Sequence, residues 1–153
     1  MTRYQPIIDV LIDSGVYEKI YFDHETELQI PYRKIGFLKR NALQEQSGKG
    51  TKFHKKRPDV CGIKNNKLKI IVEEERKPAR SKIEEDIEKI SKCKYLWTDG
   101  NEFDLDPDCV LFIILYNNIN SVQERVVENK GNLKRIVVCD KESFGEKYDC
   151  YGE

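Results

Sequence analysis

Apolar and polar positions follow each other along the chain in patterns that predict both helices and strands. Apolar residues at helical spacing predict a helix over Tyr4–Ser14 that stops at Gly15. A second apolar stripe predicts a helix over Ser81–Lys94, where Ser81 is the cap and Glu84 stands at the capping-box position. The segment Ser121–Lys130 is also predicted to be helical.

Short apolar runs between these segments predict strands at Lys19–Phe22, Glu27–Pro31, Asp59–Ile63, Leu68–Glu73, Cys109–Tyr116 and Leu133–Cys139. An irregular ribbon is the alternative for the first two. The Cys109–Tyr116 run is almost wholly apolar, as expected of a strand covered on both faces. The Asn-rich turn Lys64–Lys67 predicts a hairpin between the two central strands. The polar, glycine-containing stretch Gln44–His54 predicts a mobile loop. Together these elements predict an α/β fold with a mixed sheet flanked by helices.

Length and composition favour one cytoplasmic domain over residues 1–153. Hydrophobic residues make up 39% and charged residues 35% of the chain, which is too apolar for a disordered protein. No apolar run approaches the roughly 20 residues that span a bilayer, and the N-terminus lacks a signal-peptide pattern. The cysteines have no C-x-x-C spacing, so the sequence predicts neither a zinc site nor a disulfide framework. Three of them, Cys61, Cys109 and Cys139, lie in apolar runs and are expected to be buried.

The charge is zero overall but unevenly distributed. Residues 32–57 contain nine basic residues and one acid, a net charge of +8, so the remainder of the chain carries −8. We therefore expect a polyanion such as DNA to meet one basic face. The candidate nucleic-acid-binding residues are Arg33, Lys34, Lys39, Arg40, Lys49, Lys52, Lys55, Lys56 and Arg57.

The central hairpin carries the candidate chemistry. Facing positions on antiparallel strands lie within roughly 5 Å, so Asp59 is expected beside Val72 or Glu73. Alternation along the second strand places Glu73, Glu75 and Lys77 on one face. An aspartate and a glutamate at the open end of a hairpin can hold a hard cation, and Mg²⁺ favours such a site. The alternative interpretation is a solvated strand end.

These residues resemble a known family. Arg57-Pro58-Asp59, a hairpin, and an apolar strand ending in Glu73-x-Glu75 or Glu75-x-Lys77 are similar to the PD-(D/E)xK nuclease superfamily, which includes restriction endonucleases and archaeal Holliday-junction resolvases. The resemblance implies a restriction endonuclease-like core: a helix, a three-strand unit, a helix and a further strand. It covers about the first three quarters of the chain, from Tyr4 to Tyr116.

The resemblance implies a metal-dependent deoxyribonuclease that hydrolyses phosphodiester bonds with Mg²⁺ or Mn²⁺. It implies that Asp59, Glu73 and Glu75 bind the metal and that Lys77 joins them in catalysis; the literal Glu75-x-Lys77 pair remains open beside Glu73-x-Glu75. Family members often add an acid or polar residue from the flanking helices, for which the candidates are Asp9, Asp13, Glu18, Lys89 and Lys92; solvated helix faces explain these equally well.

Two function classes follow from this pattern. The first is a DNA endonuclease, expected as a homodimer because duplex cleavage or junction resolution needs two active sites. The second is a catalytically inactive module that keeps the nuclease-like fold and binds nucleic acid or a protein partner.

Overall fold

A computed structural model of the chain describes residues 3–23, 34–38, 42–44, 54–56, 58–76, 80–98, 101–116, 122 and 124–152. Within these ranges the chain forms three α-helices and ten β-strands. The helices are α1 (Gln5–Ser14), α2 (Arg80–Ser91) and α3 (Phe144–Tyr151), the last preceded by a 3-10 turn at Lys141–Ser143. The strands are β1 (Lys19–Asp23), β2 (Lys34–Leu38), β3 (Ala42–Gln44), β4 (His54–Lys56), β5 (Val60–Lys64), β6 (Lys67–Glu75), β7 (Tyr95–Thr98), β8 (Asn101–Leu115), β9 (Arg125–Lys130) and β10 (Leu133–Asp140). The predicted α/β class is confirmed.

The first helix forms where the apolar spacing predicts it. Its buried residues, Ile7, Ile8 and Leu11, lie on one side of the helix. Gly15 ends it in the left-handed conformation, with φ of 69°, and its N–H donates to the Ile12 carbonyl.

The β5–β6 hairpin also forms as predicted. Asn65 and Asn66 occupy its turn with φ of 52° and 60°. Two consecutive left-handed residues match the right-handed twist of the flanking strands, and asparagine tolerates that conformation better than most residues.

Strands β6, β8 and β10 are the parallel centre of a mixed sheet. Strand β8 is parallel to both β6 and β10, and the register places Glu75, Leu115 and Asp140 side by side. The carboxyl ends of the three strands therefore meet at one edge, called here the carboxyl edge. Antiparallel β5 joins β6 to β1, β9 pairs with β10, and the first part of β8 pairs with β7.

Helices cover both faces of the sheet. The α1-side core joins α1 and α3 to one face and includes Tyr4, Ile8, Phe22, Val60, Val72, Phe112, Phe144 and Tyr148. The α2-side core joins α2 to the other face and includes Cys61, Ile71, Ile83, Ile87, Ile90, Cys109, Leu111 and Ile113. The 109–115 run of β8 is buried throughout because both faces are covered, as predicted. Cys61, Cys109 and Cys139 are buried free thiols, which confirms their prediction.

The prediction for Ser121–Lys130 is wrong. Residues Arg125–Lys130 form strand β9, antiparallel to β10, instead of a helix. Adjacent β-branched valines at 126 and 127 favour an extended chain. Asn129 and Gly131 adopt positive φ at the turn into β10, so pairing with β10 overrides the helical pattern.

Smaller boundary differences accompany this one. Helix α2 begins at Arg80 and ends at Ser91, so Ser81 lies inside the helix and Lys94 beyond it. Gln44 and His54 belong to strands β3 and β4, while residues 45–53 and the predicted strand at 27–31 lie outside the described residues. Helix α3 and strands β2, β3, β4 and β7 are additions to the predicted elements. None of the helices in the described ranges is long and apolar enough to cross a membrane.

Candidate functional site

Three acidic residues meet at the open end of the β5–β6 hairpin. The register pairs Val60 with Val72, so Asp59 stands opposite Glu73, as the hairpin pattern predicts. The Asp59 backbone N–H donates to Glu73 Oε1 at 3.2 Å. Asp59 Oδ2 in turn accepts a hydrogen bond from the Glu74 backbone N–H at 2.8 Å. Asp59 is therefore tied to two consecutive glutamates at the carboxyl edge.

The start of helix α1 positions the other oxygen of Asp59. Tyr4 is fully buried in the α1-side core, and its hydroxyl donates to Asp59 Oδ1 at 3.3 Å. Arg3 Nη2 donates to the Tyr4 hydroxyl at 3.0 Å. Packing of the first helix thus fixes a donor on the Asp59 carboxyl group from a part of the chain far away in sequence.

Glu74 is the centre of a second group of contacts on the same side. The Tyr116 hydroxyl donates to Glu74 Oε2. Glu74 Oε1 lies 3.6 Å from Arg3 Nε and 3.8 Å from Arg76 Nε, and the Glu74 side chain is 0% exposed. Burial raises the pKa of Glu74, and the nearby Asp59 carboxylate adds to this; the Tyr116 hydrogen bond and the two arginines act in the opposite direction. Glu74 is therefore a buried acid held between cations and another carboxylate.

The alternation of β6 assigns its glutamates to opposite faces. Val72 packs in the α1-side core and Ile71 in the α2-side core. Glu74 consequently continues the α1 side, whereas Glu73 and Glu75 continue the α2 side. The predicted common face of Glu73 and Glu75 agrees with this arrangement.

On the α2-side face, the Glu73 carboxylate acts on the buried thiol of Cys61. Burial raises the pKa of the Cys61 thiol well above its ordinary value, and the Glu73 carboxylate is the next largest cause. Asp59 contributes in the same direction. Asp59 therefore stands at the strand end where acids from both faces reach it.

The predicted catalytic group also includes Glu75 and Lys77. Glu75 is 5% exposed, and its backbone carbonyl accepts the Tyr116 N–H at 3.1 Å. That bond joins the ends of β6 and β8. Lys77 lies outside the described residues.

Most of the predicted basic face is also outside the described residues. Lys34 belongs to β2, and Lys55 and Lys56 belong to β4. These two strands stand at opposite ends of the strand order β2-β1-β5-β6-β8-β7-β3-β4. The other six basic residues, Arg33, Lys39, Arg40, Lys49, Lys52 and Arg57, lie in ranges that the structure leaves undescribed.

The helix candidates stay at the surface. Asp9 and Asp13 are exposed on α1, Lys89 is exposed on α2, and Lys92 is exposed directly after the end of α2. Glu18 accepts a hydrogen bond from the Asn65 N–H at the turn end of the hairpin, away from Asp59. These positions fit the solvated-face interpretation.

No family model, curated protein or solved structure matches the chain. Within the described part of the chain, no group of three or more histidine, cysteine, aspartate or glutamate side chains is arranged to hold a metal ion. What the structure does bring together is Asp59 with Glu73 and Glu74. The Glu73 carboxylate accepts from the Asp59 backbone N–H, and the Asp59 carboxylate accepts from the Glu74 backbone N–H. The geometry of these residues is therefore the basis of any functional proposal.

The structure adds residues that the sequence pattern passed over. Glu74, Arg76 and Tyr116 join the site from the ends of β6 and β8, and Arg3 and Tyr4 join it from the start of α1. One signal was present in the sequence: Glu74-x-Arg76 has the acid-x-cation spacing, one residue before the literal Glu75-x-Lys77 pattern. The contributions of Tyr4 and Tyr116 depend on tertiary packing and have no local signal.

Proposed function

We propose that the chain is a single nuclease-like domain, a metal-dependent DNA endonuclease that hydrolyses phosphodiester bonds. One observation carries the proposal: Asp59 meets two consecutive glutamates where parallel strands β6 and β8 end. In open sheets of parallel strands, ligands commonly bind outside the carboxyl ends of the strands. Acidic groups at that edge, with arginines beside them, suit a phosphate ester and a divalent cation.

The order of elements gives further support. The PD-(D/E)xK resemblance implies a helix, a three-strand unit, a helix and a further strand. Elements α1, β1, β5, β6, α2 and β8 follow that order, with β5 antiparallel and β8 parallel to β6. Strands β2, β3 and β4 lie between β1 and β5 in sequence, and β7 lies between α2 and β8.

The donor chemistry of the acidic residues suits a hard cation such as Mg²⁺ or Mn²⁺. Carboxylate oxygens are the ligands such ions prefer. Burial and Asp59 raise the pKa of Glu74, so a cation near the two carboxylates would relieve the cost of ionising both. As the resemblance implies, Asp59, Glu73 and Glu75 would hold the ion, with Lys77 in the catalytic group. Their carboxyl groups would turn toward a common point on binding, because no such group is preformed among the described residues. The bound ion would supply an activated water and neutralise charge developing on the phosphate.

The surrounding side chains would orient the acids. Burial raises the pKa of Tyr116 far above its ordinary value, and the Glu74 carboxylate raises it further. The Tyr116 hydroxyl therefore stays protonated and donates to Glu74, while the Tyr4 hydroxyl does the same for Asp59. Two donors from separate elements thereby limit rotation of the carboxyl groups.

A binding module that keeps the nuclease-like fold is the second candidate. Glu74 already has Arg3 and Arg76 within 4 Å and a hydrogen bond from Tyr116. Such pairing partly offsets the burial of a carboxylate without a metal. In that case the domain would bind nucleic acid or a protein partner without cutting it.

Cleavage assays separate the two functions. Supercoiled, linear, single-stranded and four-way-junction DNA would be incubated with Mg²⁺ or Mn²⁺ and the wild-type protein or the variants Asp59→Ala and Glu73→Ala. We expect each variant to lose at least about 100-fold in rate, because a bound metal supplies several kcal/mol of transition-state stabilisation.

A second Pro-Asp dipeptide provides a matched control. Asp108 follows Pro107, is exposed, and lies 3.9 Å from Lys134. Asp108→Ala should cut at the wild-type rate. Wild-type protein that binds DNA but cuts none of the substrates with either metal would establish the binding module. Cutting that survives Asp59→Ala would show that the site lies elsewhere.

A further inference from the structure

Cationic residues lie at the carboxyl edge, beyond the ends of the three parallel strands. Arg76 follows β6, Tyr116 follows β8, and Lys141 follows β10. The register that aligns Glu75, Leu115 and Asp140 brings these following residues next to one another. None of the cations belongs to the basic segment 32–57.

Tyr116 is the common neighbour of two of these cations. The Arg76 guanidinium carbon lies 4.7 Å from the centre of the Tyr116 ring, and the Lys141 ammonium nitrogen lies 4.8 Å from it. Both distances are within the range of a cation–π interaction. Arg3 approaches the same group through Glu74, 3.6 Å from its carboxylate.

The cations are partly exposed to solvent, whereas the acid beside them is buried. The side chains of Arg3 and Arg76 are 38% and 48% exposed, whereas the Glu74 side chain is 0% exposed. Lys141 is exposed as well. Its neighbour Asp140 shares a side-chain hydrogen bond with Glu124, which raises the pKa of Glu124. A ligand approaching this edge from solvent would therefore meet the positive groups before it met Glu74.

We propose that Arg3, Arg76 and Lys141, arranged around Tyr116, bind a backbone phosphate of DNA beside Asp59. The inference rests on the proposed nucleic-acid function for the identity of the anion. Guanidinium groups match the oxygen geometry of a phosphate, and an ammonium group adds a point charge. Such contacts position the backbone and carry no base specificity. This site would hold the phosphate at the acids, and segment 32–57 would contact other parts of the DNA.

Binding measured without divalent metal tests the proposal independently of cleavage. Fluorescence anisotropy of a labelled oligonucleotide in EDTA, single-stranded and duplex, would be followed over a range of salt concentrations. We expect Arg76→Gln and Lys141→Gln each to weaken binding severalfold and to reduce the slope of log affinity against log salt by about one. Arg76→Lys, which keeps the charge, should keep the slope.

Lys134→Gln is the matched control. Lys134 lies on β10, in the same strand that precedes Lys141, and its side chain is 34% exposed. Removing its charge should leave both affinity and slope at wild-type values. Thermal unfolding of every variant would verify that each remains folded.

The outcomes separate this site from the nuclease proposal. If Arg76→Gln and Lys141→Gln lose binding and the wild-type protein never cuts DNA, the phosphate site is supported and the nuclease proposal is rejected. If both variants bind like Lys134→Gln, or if the wild type binds neither oligonucleotide at low salt, the phosphate site is overturned. Cleavage that persists in either of those cases would leave the nuclease proposal standing.

Discussion

The Glu74 side chain is fully buried, so its carboxyl group does not contact solvent. A buried carboxylate loses hydration, and the Tyr116 hydroxyl and two arginines only partly replace it, because the pKa of Glu74 stays raised. The folded state therefore binds the Glu74 proton more tightly than the unfolded chain does. Tighter proton binding by Glu74 therefore stabilises the fold fully at pH values below the pKa of Glu74 in the unfolded chain. This stabilisation is lost as pH rises through the raised pKa of Glu74 in the folded state.

Replacing Glu74 by glutamine should remove this dependence on pH. Glutamine keeps the shape and can accept the Tyr116 hydrogen bond, but it does not ionise. We expect the stability of Glu74→Gln relative to wild type to increase as pH rises from about 4 to about 7. Urea unfolding at several pH values measures the difference.

Glu85 provides a control of opposite sign. It is exposed on α2, and its pKa is lowered, first by a hydrogen bond from Lys89 and then by the charge of that residue. Ionised Glu85 stabilises the fold at pH values above the pKa of Glu85 in the unfolded chain, and this stabilisation is lost as pH falls. Glu85→Gln should therefore lose stability relative to wild type as pH rises. A Glu74→Gln difference that stays flat with pH, or follows the Glu85 trend, would contradict the raised pKa.

The sequence predicted only some of the residues that make up the candidate site. Asp59 was found because Pro58-Asp59 precedes a hairpin strand, and the register with β6 follows from the turn. Glu74 was missed because strand alternation indicates which residues share a face but does not indicate which face carries partners. Its partners Arg3 and Tyr116 come from the start of α1 and the end of β8, and only tertiary packing brings them together.

Helices and strands were predictable where the local sequence pattern and the tertiary environment favour the same structure. Helix α1 and the β5–β6 hairpin carry their own stop and turn residues, Gly15 and Asn65-Asn66. Strand β9 carries no decisive local signal and becomes a strand because β10 offers it an antiparallel partner. Strands β3 and β4 are three residues each, too short for a periodic pattern to be recognised.

The hairpin turn provides a direct test at this scale. Asn66 has φ of 60°, a conformation in which alanine is strained by roughly 1–2 kcal/mol and glycine is not. Asn66→Ala should therefore lower the free energy of unfolding by about 1 kcal/mol. Asn66→Gly should be at least as stable as wild type, since Asn-Gly is a preferred pair for this turn.

The neighbouring Lys67 supplies the comparison for that turn. It is exposed and is the first residue of β6, outside the left-handed pair. Lys67→Ala should change stability by less than about 0.5 kcal/mol, the usual range for surface substitutions. Equal urea midpoints for Asn66→Ala and Lys67→Ala would rule out the strained turn.

At the scale of the whole molecule, helices from the first and last parts of the described chain pack on the same face of the sheet. Helices α1 and α3 share one face, and Phe112 of β8 contacts Phe144 of α3 edge to face, with ring centres 5.3 Å apart. The Tyr17 and Tyr148 hydroxyls are hydrogen-bonded at 2.8 Å, across 131 positions of sequence. This bond links the segment after α1 directly to α3, so the beginning and end of the chain should unfold together.

A double-mutant cycle tests that link. Tyr17→Phe and Tyr148→Phe each remove one hydroxyl of the pair, and each should lower the free energy of unfolding by about 1–2 kcal/mol because the other hydroxyl loses a buried partner. The double variant should be less destabilised than the sum of the two, by roughly 0.5–1.5 kcal/mol, since the bond can be lost only once. Urea unfolding followed by fluorescence and by circular dichroism gives both the energies and the cooperativity. Additive losses, or two separate transitions in the wild type, would show that α3 is not coupled to the first part of the fold.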